Sequence, residues 1–501
     1  GVMVNQEFSA NAVGLTPGTT HYYRCYASNS YGGAWSPEVT AFTPGMGTVH
    51  YVNKANTTPN SPYTSWAWAA TNIQDAIDIA ASNEMVIVTN GIYDTGGRVN
   101  YPAGSTLTNR VVITKGVQVV AVSTNPADTL IVGVADLRGG AASNGPAAVR
   151  CVYILNGCVL SGFTLTNGYT SAAGDVNGGG VYASAAGGML GVASPGGLAT
   201  NCVIAGCKAA GSGGGGFQGM YKNCIFMGNT ALADGGGLQT AGANDCLITR
   251  NLSVGNGGGV SFSTLTNCVV SYNTGSSGSG GLYAGSQIVG CLVISNSSPG
   301  YGGGIGDPNG WGPTAERCMF IGNSAGGGGG AMYGGFAKNC LMANNSAGEF
   351  GGGARGGVFV NCTIVSNRAV SGGGGIALGA RATNCIIYYN YTPNVDSNCS
   401  SAYAHPSYST YPAYTCTSPT NRLDYTNIIV GLVEKAPEFT NMSGGDYRLS
   451  SPRSPCFNSG VNQSWMTNGV DLDGKQRIRH GAVDMGAYEL WVKSGTIFRG
   501  K

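Results

Sequence analysis

The sequence predicts an all-β protein: a right-handed parallel β-helix, or solenoid, of about 22 residues per coil, with a short N-terminal capping helix and a partial β-sandwich before it. Three observations carry the prediction. Between residues 200 and 390 an Asn, a Cys, two apolar residues and a second Asn recur. The cysteines are Cys202, Cys224, Cys246, Cys268, Cys291, Cys318, Cys340, Cys362 and Cys385, in steps of 22, 22, 22, 23, 27, 22, 22 and 23 residues. So strict a period means one structural unit stacked on copies of itself. Second, glycine blocks follow the cysteines, among them 213–216, 235–237, 257–259, 302–304, 351–353 and 372–375. This density of Gly excludes helical repeats and permits sharp corners between closely approaching backbones. Third, the position two after each Cys is always apolar, from Ile204 and Phe226 through to Ile387, so Cys and this residue share the inward face of a strand. A leucine-rich horseshoe of similar period needs leucines at set offsets, which are absent.

The second Asn of each phrase falls at a corner. Asn229, Asn251, Asn273, Asn296, Asn323, Asn345, Asn367 and Asn390 can hydrogen-bond from rung to rung as a ladder, which Cys207 interrupts in the first rung. Parallel crossovers are right-handed in nearly all cases, hence the predicted hand. At about 4.8 Å per rung, nine rungs make a rod section of roughly 38 Å.

These residues carry a resemblance: the repeats look like the pectin lyase-like right-handed β-helix superfamily, and their phrasing is similar to repeats of bacterial polymorphic outer-membrane proteins. The resemblance implies the fold. That superfamily holds lyases, glycosidases, adhesins and inert surface proteins, so it leaves function open.

The 86 glycines among 501 residues and the 10% of charged residues depart from ordinary globular composition, and a solenoid accounts for both. A net charge of +2 without a basic run argues against nucleic acid. No apolar stretch reaches the roughly 18 residues of a membrane span. A chain that opens at Gly1, without a signal peptide, is expected to be a processed or excised piece of a secreted precursor. The ladder thiols are expected to stay free, because parallel Cβ vectors suit a disulfide poorly. Off the ladder, Cys399 and Cys416 are the candidate disulfide.

Four regions follow in order. Residues 1–46 hold strand-like runs around Tyr22, Tyr23 and Trp35 that resemble the later strands of a fibronectin type III domain, too few for a complete sandwich. Residues 47–390 are the β-helix. Its helix at about 71–81 has the capping-box spacing Thr71 to Gln74 and an apolar face of Ile73, Ala76, Ile77 and Ala80, suited to closing the open end of the rod. Strands are expected at 85–89, 110–114, 117–122 and 129–132, with the regular coils at 200–390. Residues 391–490 begin with a Tyr-rich stretch, Tyr391 to Tyr414, that could stack on sugars. They end in a segment around Asp446, Asp471, Asp473 and Glu489 that resembles the closing module of secreted bacterial choice-of-anchor proteins. Residues 491–501 form a tail with a β-prone core, Thr496, Ile497 and Phe498.

Catalysis on such a fold calls for convergent carboxylates or a cation site with a nearby base. Between 201 and 390 the acids Asp234, Asp245, Asp307, Glu316 and Glu349 sit at different offsets from the ladder, and His21, His50, His405 and His480 all lie outside the regular coils. The expectation is therefore a protein without enzymatic activity and without a cofactor, with Asp471 and Asp473 a weak calcium candidate. The leading function is an extracellular, bacterial-type surface or structural protein whose partners are copies of itself, assembled head to tail. In that assembly Thr496, Ile497 and Phe498 would complete the strands bearing Tyr22, Tyr23 and Trp35 of the next copy. The alternative is a carbohydrate-binding or polysaccharide-cleaving β-helix with glycans as partners. Finally, the position after each ladder Cys faces outward yet is apolar in eight of nine rungs, from Val203 and Ile225 to Ile386, and is expected to be covered.

Overall fold

In a computed structural model of the chain, the described residues are 21–23, 26–29, 32–35, 40–42 and 47–491, apart from 143, 185–195, 308–311, 394, 397–398, 401–410, 418–432 and 480. The tail residues Thr496, Ile497 and Phe498 lie outside them. Among the described residues the coils form four sheets, of 13, 12, 14 and 10 strands, in which each strand pairs with its counterpart one coil away. Pairing is parallel throughout, except for the closing pair Tyr391–Thr392 with Val395–Asp396. One coil shows the unit. Leu198–Thr200 belongs to the 14-stranded sheet, Val203–Ala205 to the 13-stranded, Lys208–Ala209 to the 10-stranded and Gly216–Phe217 to the 12-stranded.

Corners separate these strands, and each is written in the sequence. The residue just before the ladder Cys is left-handed, as in Asn201, Asn223, Asn267, Asn339, Asn361 and Asn384, because Asn tolerates positive φ better than most residues. The next corner carries the inward Asn ladder. Asn251 Oδ1 accepts from both the backbone N–H (2.9 Å) and the side-chain Nδ2 (3.0 Å) of Asn229, while Asn251 Nδ2 donates to Phe226 O at 3.0 Å. The pattern repeats to Asn390, and Cys207 enters it by donating its N–H to Asn229 Oδ1 at 3.0 Å. The ladder cysteines are at most 3% exposed, so their thiols pack as small apolar groups. Each also makes weak bonds, as where Cys224 N–H donates to Cys246 Sγ at 3.4 Å.

The helix spans Ile73–Ile79, shorter than expected, and its N-cap is Asn72 rather than Thr71, with Asn72 Oδ1 accepting from Gln74 N–H at 2.9 Å. Gln74 does not close a capping box. Its amide clamps the backbone of Val112 instead, accepting at 2.7 Å and donating at 3.2 Å, which ties the helix to the first coil. Ile73, Ala76 and Ile77 seal the end of the core. The early strands run Met85–Val88, Thr108–Ile113, Gln118–Ala121 and Thr129–Val132. Before the solenoid, His21–Tyr23 pairs antiparallel with Thr40–Phe42 and Tyr26–Asn29 with Gly32–Trp35. Tyr22 is exposed.

The C-terminal module, from 433 to 491, packs on the outside of the last coils. Asn384 exchanges two bonds of 2.8 Å with the backbone of Val461, Asn339 Nδ2 donates to Val470 O at 2.8 Å, and Thr363 Oγ accepts from Ala487 N–H at 3.0 Å. Tyr447, Ala487 and Tyr488 cover Leu341, Ala343 and Val365. The outward apolar line is thus covered at one end: Leu341, Thr363 and Ile386 are buried, Val203, Leu247, Val269, Leu292 and Met319 are partly exposed, and Ile225 is exposed.

Candidate functional site

The 12-stranded sheet carries the most distinctive outward side chains, and most of them are buried, Tyr153, Phe217, Gln239, Ser261 and Tyr283 among them. Each of its regular strands has two residues, the first inward and the second outward, as in Leu238–Gln239, Val260–Ser261 and Leu282–Tyr283. In-register parallel pairing lines up the outward residues Tyr153, Tyr182, Phe217, Gln239, Ser261, Tyr283, Gly306, Tyr333 and Arg355 in one row. Eight rung spacings of about 4.8 Å make the row roughly 38 Å long. The glycine turns before these strands form its wall. Gly235 is left-handed (φ +68°), and a Cβ there would stand 3.0 Å from Gln239 Oε1. Glycine keeps the turn folded tightly against the row.

Aromatic rings fill the two ends. At the N-terminal end Tyr101 and Tyr153 lie 5.6 Å apart between centroids, Tyr153 and Tyr182 5.6 Å, and Tyr182 and Phe217 5.2 Å. Beneath them the buried Arg150 guanidinium sits 4.9 Å from the Tyr182 ring. It donates to Gly178 O (2.8 Å), Asn109 Oδ1 (2.7 Å) and Asn177 O (2.7 Å), and pairs with Asp175 at 2.7 Å. This saturated Arg holds the platform rigid. At the other end Tyr301 and Tyr333 lie 5.0 Å apart, and Arg355 stands 5.1 and 5.5 Å from the two rings while pairing with Glu349 at 3.1 Å. Between the clusters, Gln239 Oε1 and Ser261 Oγ are buried and have no hydrogen-bond partner among the described residues. Buried polar atoms are seldom left so, and two of them on one row mark where polar groups of a ligand would bond.

Sequence reasoning missed this row. From Phe217 on, its residues stand fifteen positions after a ladder Cys, a constant offset that could have revealed it. Attention to inward periodicity and to the line next to the Cys passed it over. Two of the acids judged scattered border the row: Asp307 follows Gly306 directly, and Glu349 reaches it through Arg355. Asp234 instead accepts from Asn256 N–H at 2.7 Å, and Glu316 pairs with Lys338 at 3.0 Å. His50 is buried at the helix-capped end, its Nε2 2.9 Å from Glu84.

The calcium candidates have other partners. Asp471 accepts from Lys475 N–H (2.7 Å) and Glu489 N–H (2.8 Å), and Asp473 pairs with Arg448 (2.5 Å) and Lys475 (3.0 Å). Asp471 belongs to a buried group with Asp484, Glu489 and Arg477, in which Arg477 pairs with Glu489 at 3.0 Å. Burial pushes the Glu489 carboxyl up to about 9 and raises Asp471 as well. A carboxyl raised in the folded state contributes stability in full below its unfolded value near 4.5, and loses it as pH rises toward 9. Unfolding of the module is therefore expected to become easier between pH 5 and 9, by up to about 1.4 kcal/mol per pH unit per group. Glu489→Gln should flatten that slope in denaturant melts; an unchanged slope would show that Glu489 is ionised in the folded protein. The backbone of the candidate disulfide pair falls on two sheets. Cys399–Ser400 lies in the 12-stranded sheet and Cys416–Thr417 in the 13-stranded, on different sides of the coil. Cys416 shares a buried apolar cluster with Cys456, and its thiol donates to Lys435 O at 3.2 Å.

No helix among the described residues is long and apolar enough to cross a membrane. No family model matches the sequence, and no curated protein matches it. Solved structures do. A pectate lyase is 14% identical with a TM-score of 0.33, covering 89% of this chain and 97% of its own. The A-module of an Azotobacter vinelandii mannuronan C-5 epimerase is 14% identical with a TM-score of 0.38, covering 73% and 94%. A mannuronic acid specific family 6 polysaccharide lyase from human gut microbiota is 10% identical, also with a TM-score of 0.38, covering 73% and 88%. The expectation of a protein without enzymatic activity is corrected by these findings: the solved structures it resembles in fold are lyases and an epimerase. At such identities the likeness is one of fold, and the fold is the right-handed parallel β-helix.

Proposed function

We propose that this protein engages an extended polysaccharide outside the cell, along the outward row of the 12-stranded sheet. The observation that carries the reading is the row itself. Rings at Tyr153, Tyr182 and Phe217 and at Tyr301 and Tyr333 flank the buried, unpartnered Gln239 Oε1 and Ser261 Oγ. Aromatic faces and edges cover the apolar parts of a sugar, while amide and hydroxyl groups bond its hydroxyls. Parallel stacking repeats these groups at a fixed rise, which suits a repeating polymer better than a compact ligand. The Arg355 and Glu349 pair, with Asp307 beside Gly306, puts charged groups at one end of the track, where a uronate chain would meet a guanidinium.

The test is calorimetric titration against neutral and uronate polysaccharides, with chain scission followed in the same samples. Tyr182→Ala combined with Tyr333→Ala is expected to weaken binding by about tenfold, at roughly 0.5–1.5 kcal/mol per aromatic contact, and to leave the thermal melt of the solenoid in place. Full affinity in the double variant, or no binding to any glycan of the panel, would refute the reading.

A further inference from the structure

We infer that Cys416 and Cys456 are a disulfide site that staples the C-terminal module to the last coil. Cys416 pairs in register with Ile386, which pairs with Thr363 and through it with Leu341. It is therefore the last residue of the outward line that the module covers. Cys456 comes from the module side, where its carbonyl accepts from Met485 N–H at 3.0 Å. Both cysteines are completely buried in one apolar cluster with Ile386, Leu449 and Met485, where the Cys416 thiol donates to Lys435 O at 3.2 Å. The seam is held on each side, by Cys416 N–H donating to Cys385 O at 2.9 Å and by Ser454 Oγ donating to Pro437 O at 2.5 Å.

The ladder supplies the contrast. Its cysteines lie on successive rungs of one stack with parallel Cβ vectors. That arrangement opposes the near-perpendicular torsion of a disulfide. Cys416 and Cys456 belong to different elements, the last coil and the C-terminal module, so they are free of this constraint.

The chemistry is thiol–disulfide exchange with a small-molecule disulfide, while the module is still undocked in the folding chain. The thiolate of one cysteine attacks the disulfide, forms a mixed disulfide and expels one small-molecule thiolate. The second cysteine thiolate then attacks the protein sulfur of that bond and expels the other. Two protein thiols lose two protons and two electrons, and the small disulfide is reduced to two thiols.

Refolding the full chain in a buffer of reduced and oxidised glutathione, followed by peptide mapping without reduction, tests the assignment. The expected result is a peptide pair joined through Cys416 and Cys456, lighter by two hydrogens than the separate peptides, with the ladder cysteines recovered as alkylated thiols. In the oxidising buffer the wild type should melt several degrees above Cys456→Ser, and the gap should close on reduction. Separate alkylation of Cys416 and Cys456, or a bond from Cys416 to Cys399, would overturn the inference. Because the mapping uses the unmodified chain and no glycan, its outcome is independent of polysaccharide binding.

Discussion

Asn296→Ala is expected to destabilise the middle of the solenoid by about 3–5 kcal/mol, among the largest effects of any polar substitution in the chain. The side chain takes part in four bonds. Its Oδ1 accepts from the N–H and the Nδ2 of Asn273, each at 3.0 Å, and its Nδ2 donates to Val270 O at 2.9 Å and to Asn323 Oδ1 at 3.0 Å. Alanine removes all four and leaves the Asn273 N–H, and one of the two Nδ2 protons of Asn273, buried without a partner. Each such orphan costs about 1–3 kcal/mol, more than the bond it replaces is worth. A solenoid need not unfold as one unit, so the measurement is native-state hydrogen exchange, with loss of protection centred on the coils around Cys268, Cys291 and Cys318. A drop of less than about 1 kcal/mol would mean that water enters the corner and satisfies the ladder.

Gly258→Ala is expected to be more severe, preventing the stack from closing at that coil. A Cβ at Gly258 would overlap the backbone of Thr274, in the strand Thr274–Gly275 of the following coil, where nothing can give way without moving the coil. Strain from overpacking is usually about 1–3 kcal/mol when side chains can shift, and it exceeds that when the obstacle is backbone. Gly228→Ala is the control. Gly228 is left-handed (φ +63°) but has open space around it, so alanine there pays only the conformational cost of about 1–2 kcal/mol. Soluble yield and circular dichroism of the two variants decide the matter; equal behaviour would show that the glycine blocks serve corner conformation alone.

These two substitutions touch what the sequence by itself determined. The 22-residue step set one coil per repeat, the Cys and the apolar residue two after it set the inward face, and the second Asn set the ladder, because stacking brings the same offset of successive repeats into contact. Period therefore converts directly into neighbours. The outward row obeys the same rule, and its constant offset was legible from Phe217 onward; in the irregular coils that hold Tyr153 and Tyr182 there is no offset to count, and only the pairing Tyr153 to Tyr182 to Phe217 joins them to it. Tertiary structure alone decided the rest. That the module covers Leu341, Thr363 and Ile386 but not Val203 or Ile225, that Cys416 shares a buried cluster with Cys456 of the module, and that Arg150 locks under Tyr182 through Asp175 are contacts between elements that share no repeat. Their partners are chosen by shape and by where the chain turns after the last coil, and neither is encoded in any spacing along it.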